Sequence, residues 1–102
     1  MDERYIANIK RVLWYVLTGT RGGVTRIKIL NTLRERPCNI NQLSERLKMD
    51  YKTIQHHIKI LEDNKLIISE GEKYGVMYFT SPTFEASSEA FVEIVKKMKV
   101  ED

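Results

Sequence analysis

The chain opens with apolar residues that recur every three to four positions. Between positions 4 and 17 this spacing predicts a helix, and Trp14 and Tyr15 widen its apolar band almost all round. Its apolar residues are Tyr5, Ile6, Ile9, Val12, Leu13, Val16 and Leu17. Residues 19–23, which read Gly-Thr-Arg-Gly-Gly, predict a turn that ends this helix, because clustered glycines favour turns.

A second helix is predicted after the glycine-rich turn. Thr25 is a candidate N-cap, and the helix stops near Pro37, because proline cannot continue the hydrogen-bond ladder. One face of this helix carries Ile27, Leu30 and Leu33.

The next segment has the pattern of a helix-turn-helix. Asn39 or Asn41 caps a short helix, residues 48–49 form a turn, and Asp50 caps a longer helix that ends near residue 63. The residues predicted to point inward are Leu43, Leu47, Ile54, Ile58 and Leu61. A short helix, a tight turn and a second helix with exposed polar residues is the arrangement that places a helix in a DNA major groove.

Two strand-like segments and a last helix complete the chain. Residues 66–69 and 76–80 predict two strands, joined by a glycine-bracketed loop over 70–75. A final helix is predicted over 82–99, opened by proline. The apolar residues that repeat every seven positions in it are Phe84, Phe91 and Met98.

These elements predict one mainly helical domain over residues 1–102 with a small β-hairpin. Residues 24–80 form a winged helix-turn-helix, and the helices at 4–17 and 82–99 are additional to it. Their two wide apolar faces are difficult to bury in so small a monomer. We therefore expect the terminal helices to pair two copies into a homodimer, with ordinary packing inside one chain as the alternative.

Charge divides the chain into a basic front and an acidic tail. The net charge is +3, yet residues 1–60 carry 12 Lys and Arg against 5 Asp and Glu, and residues 61–102 carry 5 against 9. A basic front favours a polyanionic partner such as nucleic acid.

Cysteine usage and hydropathy favour a cytoplasmic location. Cys38 is the only cysteine, so the chain forms no internal disulfide and suits a reducing compartment. The charged start of the chain lacks a signal-peptide pattern. The longest apolar run, residues 12–17, is far shorter than the roughly 20 residues of a membrane helix.

The helix-turn-helix segment resembles the ArsR-like winged-helix regulators of prokaryotes. Residues 42–47 read Gln-Leu-Ser-Glu-Arg-Leu, residues 57–61 read His-Ile-Lys-Ile-Leu and residues 64–67 read Asn-Lys-Leu-Ile. The family pattern has Leu-Ala/Ser-Glu/Lys-x-Leu, then a Ser/Thr-rich helix with His-Leu-x-x-Leu, then Gly-Leu-Ile/Val. The resemblance covers about residues 24–80 and is most specific from the His-Ile-Lys-Ile-Leu run onward.

The resemblance implies a dimeric repressor or activator that pairs through its first and last helices. Metal-sensing branches of the family use paired cysteines near the helix before the turn, or Asp and His ligands on the last helix. Here only Cys38 lies in the first region, and residues 82–102 contain neither His nor Cys. Since a soft-metal site needs several convergent thiolates or imidazoles, we expect no metal and no other cofactor.

A helical wheel of residues 50–63 predicts a DNA-contacting face opposite the inward one. Its outward polar side chains are Lys52, Gln55, His56 and Lys59. The residues expected to read bases in a pseudo-palindromic duplex are Lys52, Gln55 and His56. Those expected to contact phosphates are Thr53, Lys59 and Lys73.

This face also has a plainer interpretation. It is only a solvated surface if the winged helix binds a protein partner and not DNA. On the wing, Lys73 and Tyr74 favour a contact with DNA, whereas Glu70 and Glu72 oppose it, so the wing contact stays open.

Other motifs favour structural roles over chemistry. Arg21, Arg26 and Lys28, in and after the glycine turn, either touch the DNA backbone or are solvated. The adjacent residues His56 and His57 point about 100° apart on a helix and do not converge on a metal, so His57 is expected at the core edge. Cys38 is expected to be a buried small hydrophobe, because no catalytic partners accompany it and an enzyme is not indicated.

Overall fold

The structure, a computed structural model, describes residues 3–19 and 21–100. Thr20, in the predicted turn, lies outside the described residues, and so do the side chains of Ile6 and Tyr74. The predicted apolar role of Ile6 and the predicted wing contact of Tyr74 therefore fall outside the described residues as well.

The described chain forms six α-helices and one hairpin. The helices are α1 (Glu3–Thr18), α2 (Gly23–Glu35), α3 (Ile40–Leu47), α4 (Tyr51–Asp63), α5 (Pro82–Ala86) and α6 (Ser88–Met98). The strands are β1 (Ile67–Glu70) and β2 (Met77–Thr80), with a 3₁₀ turn at Lys73–Gly75 between them. The predicted fold class, a winged helix-turn-helix with an extra helix before it and helical structure after it, is confirmed.

The wing is joined to the helical body through the segment before α3. The two strands pair antiparallel, with Ile67 opposite Thr80 and Glu70 opposite Met77. Cys38 adds a short bridge to β2, since its N–H donates to the Tyr78 carbonyl at 3.3 Å and its carbonyl accepts from the Tyr78 N–H at 2.8 Å. The hairpin is therefore fixed on one side by the chain that leads into α3.

The start of α2 differs from the prediction that Thr25 caps it. The N-cap is Gly22, with φ at 86°, and α2 begins at Gly23. A Cβ atom on Gly23 would lie 1.9 Å from the carbonyl oxygen of Leu17. The glycines thus let α2 begin directly against the end of α1, which starts the helix earlier than the side-chain pattern predicts.

Of the two asparagines predicted as possible N-caps of α3, Asn39 is the one that caps the helix. Its side chain accepts from the Gln42 N–H at 2.8 Å, and the Gln42 side chain accepts from the Asn39 N–H at 2.8 Å. This reciprocal capping box satisfies two backbone donors at the start of α3. Asp50 occupies the N-cap of α4 as predicted, but its side chain makes no capping bond.

The predicted single helix over 82–99 is wrong, because the chain breaks at Ser87 into α5 and α6. Ser81 caps α5 by accepting from the Phe84 N–H at 3.0 Å, and it donates to the Lys65 carbonyl at 2.7 Å. The break brings the Phe84 and Phe91 rings edge to face at 5.0 Å. Both rings are fully buried within one chain, so this part of the heptad stripe is core and not a surface for a partner.

Candidate nucleic-acid interface

Helix α4 separates an apolar face from a polar one, as predicted. Its inward residues Ile54, Ile58 and Leu61 are buried in the core. Its outward residues Lys52, Gln55, His56 and Lys59 are all exposed. The helix can therefore present polar side chains to a groove without uncovering the core.

The turn before α4 is fixed by bonds within the helix-turn-helix. Lys48 adopts a left-handed conformation with φ at 56° and closes α3. The Met49 N–H donates to the Ser44 carbonyl at 3.1 Å, and the Ser44 hydroxyl donates to the Met49 carbonyl. These bonds set the angle at which α4 leaves α3.

Two of the predicted DNA-contacting residues meet at one cavity. Gln55 of α4 and Lys73 of the wing line a space of about 340 Å³, whose other polar lining comes from α3, α4 and β2. Those further polar residues are Asn39, Asn41, Tyr51 and Tyr78. The cavity offers amide, phenol and ammonium donors and no carboxylate, which suits a phosphate or a base edge.

Tyr51 and Asn41 are potential contact residues that the helical wheel missed. Tyr51 is exposed at the first position of α4. Asn41 is exposed in the first turn of α3. Their location beside Gln55 depends on how α3 and the wing close around α4, and no local spacing in the sequence signals it.

The remaining predicted residues lie on the same helix but outside that cavity. Lys52 and His56 are exposed, and Thr53 is half-buried. The ammonium of Lys59 lies 3.5 Å from a carboxylate oxygen of Asp63, and both side chains are largely exposed. Such an exposed pair is worth only about 0.3–0.5 kcal/mol, so Lys59 can exchange Asp63 for a phosphate.

The expectation that Arg26 is a surface cation is wrong. Only 4% of Arg26 is exposed, because its guanidinium reaches inward between α1 and α4. Its Nη1 donates to the Val16 carbonyl at 2.8 Å, and its Nε donates to Nδ1 of His57 at 3.2 Å. His57 thus packs at the core edge with a side-chain partner, as predicted.

No three His, Cys, Asp or Glu side chains converge as a metal site in the part of the chain that the structure describes. The His56 and His57 rings meet edge on with centroids 5.2 Å apart. Cys38 is buried, and burial raises the pKa of its thiol above the ordinary value, which disfavours the reactive thiolate. The expectation that no metal is required stays a prediction.

The length and apolarity of a helix decide whether it can cross a membrane. None of the helices within residues 3–19 and 21–100 has both the length and the apolarity needed to cross a bilayer.

A capped short helix, a tight turn, a two-faced second helix and a hairpin wing define a winged helix-turn-helix protein. The family described as "Bacterial regulatory protein, arsR family" matches residues 23–69, which span α2 to β1. This part of the chain is therefore similar to the arsR family of bacterial regulatory proteins, and the resemblance found in the sequence is confirmed. No curated protein sequence matches the chain.

Solved structures agree with this fold. Reduced HlyU from Vibrio cholerae is 21% identical with a TM-score of 0.66, and the match covers 99% of this chain and 100% of HlyU. The transcriptional regulator HlyU from Vibrio vulnificus is 17% identical with a TM-score of 0.66, covering 90% and 88%. A homodimeric winged helix-turn-helix DNA-binding domain from Mycobacterium bovis is 17% identical with a TM-score of 0.67, covering 99% and 92%. Regulators of this class are not enzymes, in line with the sequence prediction.

Proposed function

We propose that this chain is a transcriptional regulator that binds double-stranded DNA sequence-specifically as a homodimer. The observation that supports this most is the exposed polar face of α4, which a fixed turn presents beside a donor-rich cavity. Within one domain over residues 1–102, residues 24–80 meet DNA, and the terminal segments 4–17 and 82–99 supply the dimer contacts.

In this proposal, two copies of α4 enter successive major grooves of a pseudo-palindromic site. The side chains that read bases are Lys52, Gln55 and His56. Those that contact phosphates are Thr53, Lys59 and Lys73. Because Gln55 and Lys73 line one cavity, we propose that they contact neighbouring positions on the DNA and that the wing contributes to the same half-site.

The dimer proposal is supported by large apolar side chains that the single chain leaves exposed. On α1, Trp14 is 50% and Tyr15 is 63% exposed, and Val92 on α6 is exposed as well. The Lys97 ammonium lies 5.7 Å from the centroid of the Trp14 ring, which links the same two helices. Burying such aromatic side chains between two copies would favour association.

We expect a Trp14→Asp, Tyr15→Asp variant to lose the dimer while it stays folded, because both side chains point out of the core. Each large apolar side chain contributes about 1.5–3 kcal/mol on burial, so the dimer dissociation constant rises by at least about a hundredfold. Equilibrium sedimentation checks this, with the parent at twice the chain mass of 12.0 kDa.

The matched control for the dimer test is Tyr51→Asp, an equally drastic change at an exposed aromatic residue on the DNA-facing side. This control should still dimerise. A parent chain that sediments as a monomer at tens of micromolar, or a double variant that stays dimeric, contradicts the proposed interface.

The DNA contact is tested by the salt dependence of binding to random duplex. We expect the affinity to fall steeply with salt, and Lys73→Ala to reduce the slope by about one per subunit, because each neutralised phosphate releases counterions. Fluorescence anisotropy over a salt series measures both slopes.

The control for this charge removal is Lys96→Ala, on α6 and away from the wing, which should leave the slope unchanged. Weak, salt-independent binding by the parent would favour the alternative in which the winged helix binds a protein partner.

A further inference from the structure

Arg26 joins three helices at the back of the DNA-facing helix. It projects from α2, donates to the last turns of α1 through the Val16 carbonyl at 2.8 Å, and donates to His57 of α4 at 3.2 Å. Arg26 and His57 are only 4% and 7% exposed. The contact therefore connects α1, the helix with the exposed aromatic pair, directly to α4.

The bond to Arg26 requires a neutral His57. An imidazole nitrogen accepts only when it carries no proton, so Nδ1 is bare and Nε2 carries the hydrogen. Protonation of His57 would place an N–H donor opposite the Nε–H of Arg26 and a second positive charge beside the guanidinium. Both changes oppose the contact.

The surrounding groups also favour the neutral form. Burial is the largest cause that lowers the pKa of His57 below its ordinary value of 6.5, and the charges of Arg26 and His56 lower it further. Arg26 comes from α2 and His56 from the same helix as His57. Tyr15, on α1, acts electrostatically on Arg26.

His57 has no free space on the side of the glycine turn. A Cβ atom on Gly22 would lie 2.4 Å from Cε1 of His57, so the ring packs directly on the Gly22 backbone. On its own helix, the His56 ring lies edge on to it at 5.2 Å. A displacement of the imidazole must therefore move the turn of α4 that carries His56 and Gln55.

We propose that Arg26 is a positioning residue for DNA recognition: by bonding neutral His57 it fixes the orientation of the Gln55–His56 turn, and protonation of His57 releases it. The DNA-binding part of this inference rests on the proposed function. The inference predicts that operator affinity depends on pH through His57, a buried residue that does not touch DNA.

The sign of this effect follows from the bond itself, which only a neutral His57 can make. Protonation of His57 weakens binding, so operator affinity stays constant while His57 is neutral and falls by up to about tenfold per subunit for each pH unit below its lowered pKa. The free energy of unfolding declines earlier, between about pH 6.5 and that lowered pKa, because the unfolded state binds the proton more readily, and it is fully present above this range.

The experiment measures operator affinity from about pH 7.5 to pH 5.5 in a His56→Gln background, in which His57 is the only histidine of the sequence. The operator is first obtained by selection from a random duplex pool. His57→Asn is added to this background, because its amide oxygen replaces Nδ1 as an acceptor but does not titrate. We expect the background to lose affinity on acidification and the Asn variant to keep its neutral-pH affinity with a flat profile. His57→Leu, which has no acceptor, should bind more weakly at every pH.

Circular dichroism at each pH confirms that the variants are folded. In the parent without DNA, NMR should show that the amide signals of residues 52–56 shift together with the titration of the His57 ring. An unchanged pH profile in the Asn variant, or amides that ignore the His57 titration, would overturn the inference. If no form of the protein binds duplex at any pH, the proposed function fails, and the NMR measurement still decides whether Arg26 and His57 position α4.

Discussion

Replacing Phe91 with alanine is expected to lower the free energy of unfolding by about 3–5 kcal/mol. Phe91 is 1% exposed and packs edge to face on Phe84 at 5.0 Å. The Arg34 guanidinium lies 5.7 Å from the centroid of the same ring. Truncation leaves a cavity between α5 and α6 and removes the ring over which Arg34 lies. Urea unfolding at one fixed protein concentration measures the change.

The control for Phe91→Ala is Glu93→Ala, an exposed position on the same helix, where the change should stay within about 0.5 kcal/mol. The comparison also separates core from interface. A Phe91→Ala protein that dissociates into stable, folded monomers would show that the heptad stripe is a dimer surface. A loss below about 1 kcal/mol would show that the ring is not packed as the structure places it.

The helices of the winged helix-turn-helix could be predicted because their apolar spacing is regular. Ile54, Ile58 and Leu61 point inward in α4 as the helical wheel predicts, and each is buried. The helix ends follow from local chemistry where a cap or a proline is present, as at Asn39 and Pro82. At α2 the local signal is misleading, since the helix starts at Gly23, where close packing against α1 leaves no room for a Cβ atom.

The break at Ser87 could not be predicted from spacing alone. The seven-residue spacing of Phe84, Phe91 and Met98 is the same whether the helix is continuous or interrupted. The position of α5 is fixed by a tertiary contact at its N-cap, the bond from Ser81 to Lys65, which joins residues 16 positions apart in the sequence. The two rings then turn into the core of the same chain.

Arg26 shows the limit of prediction at the site itself. Its neighbours in the sequence indicate a basic surface segment, but its hydrogen-bond acceptors lie 10 and 31 positions away. In the same way, Gln55 and Lys73 meet at one cavity only because the hairpin folds back over the start of α4. Contacts of this kind depend on the assembled fold and leave no periodic signal.

Gln55→Ala is expected to have the largest effect on sequence recognition. Gln55 is exposed on the outward face of α4 and lines the cavity between that helix and the wing. Its amide can donate to and accept from one adenine at the same time, and such a bidentate contact is worth about 1–3 kcal/mol of discrimination. The substitution leaves the inward face untouched, so the free energy of unfolding should change by less than about 0.5 kcal/mol.

The control for recognition is Lys73→Ala, which removes a contact that carries no base information. It should weaken binding to the selected operator and to random duplex about equally. Gln55→Ala should weaken binding to the operator far more than to random duplex.

The ratio of operator affinity to random-duplex affinity, measured for Gln55→Ala and His56→Ala at one salt concentration, is the most direct test of DNA recognition by α4. We expect Gln55→Ala to lower this ratio by about 5- to 150-fold while the variant stays folded and dimeric. If both variants keep the parent's ratio, α4 does not read the DNA sequence, and the winged helix as a protein-binding module becomes the better explanation.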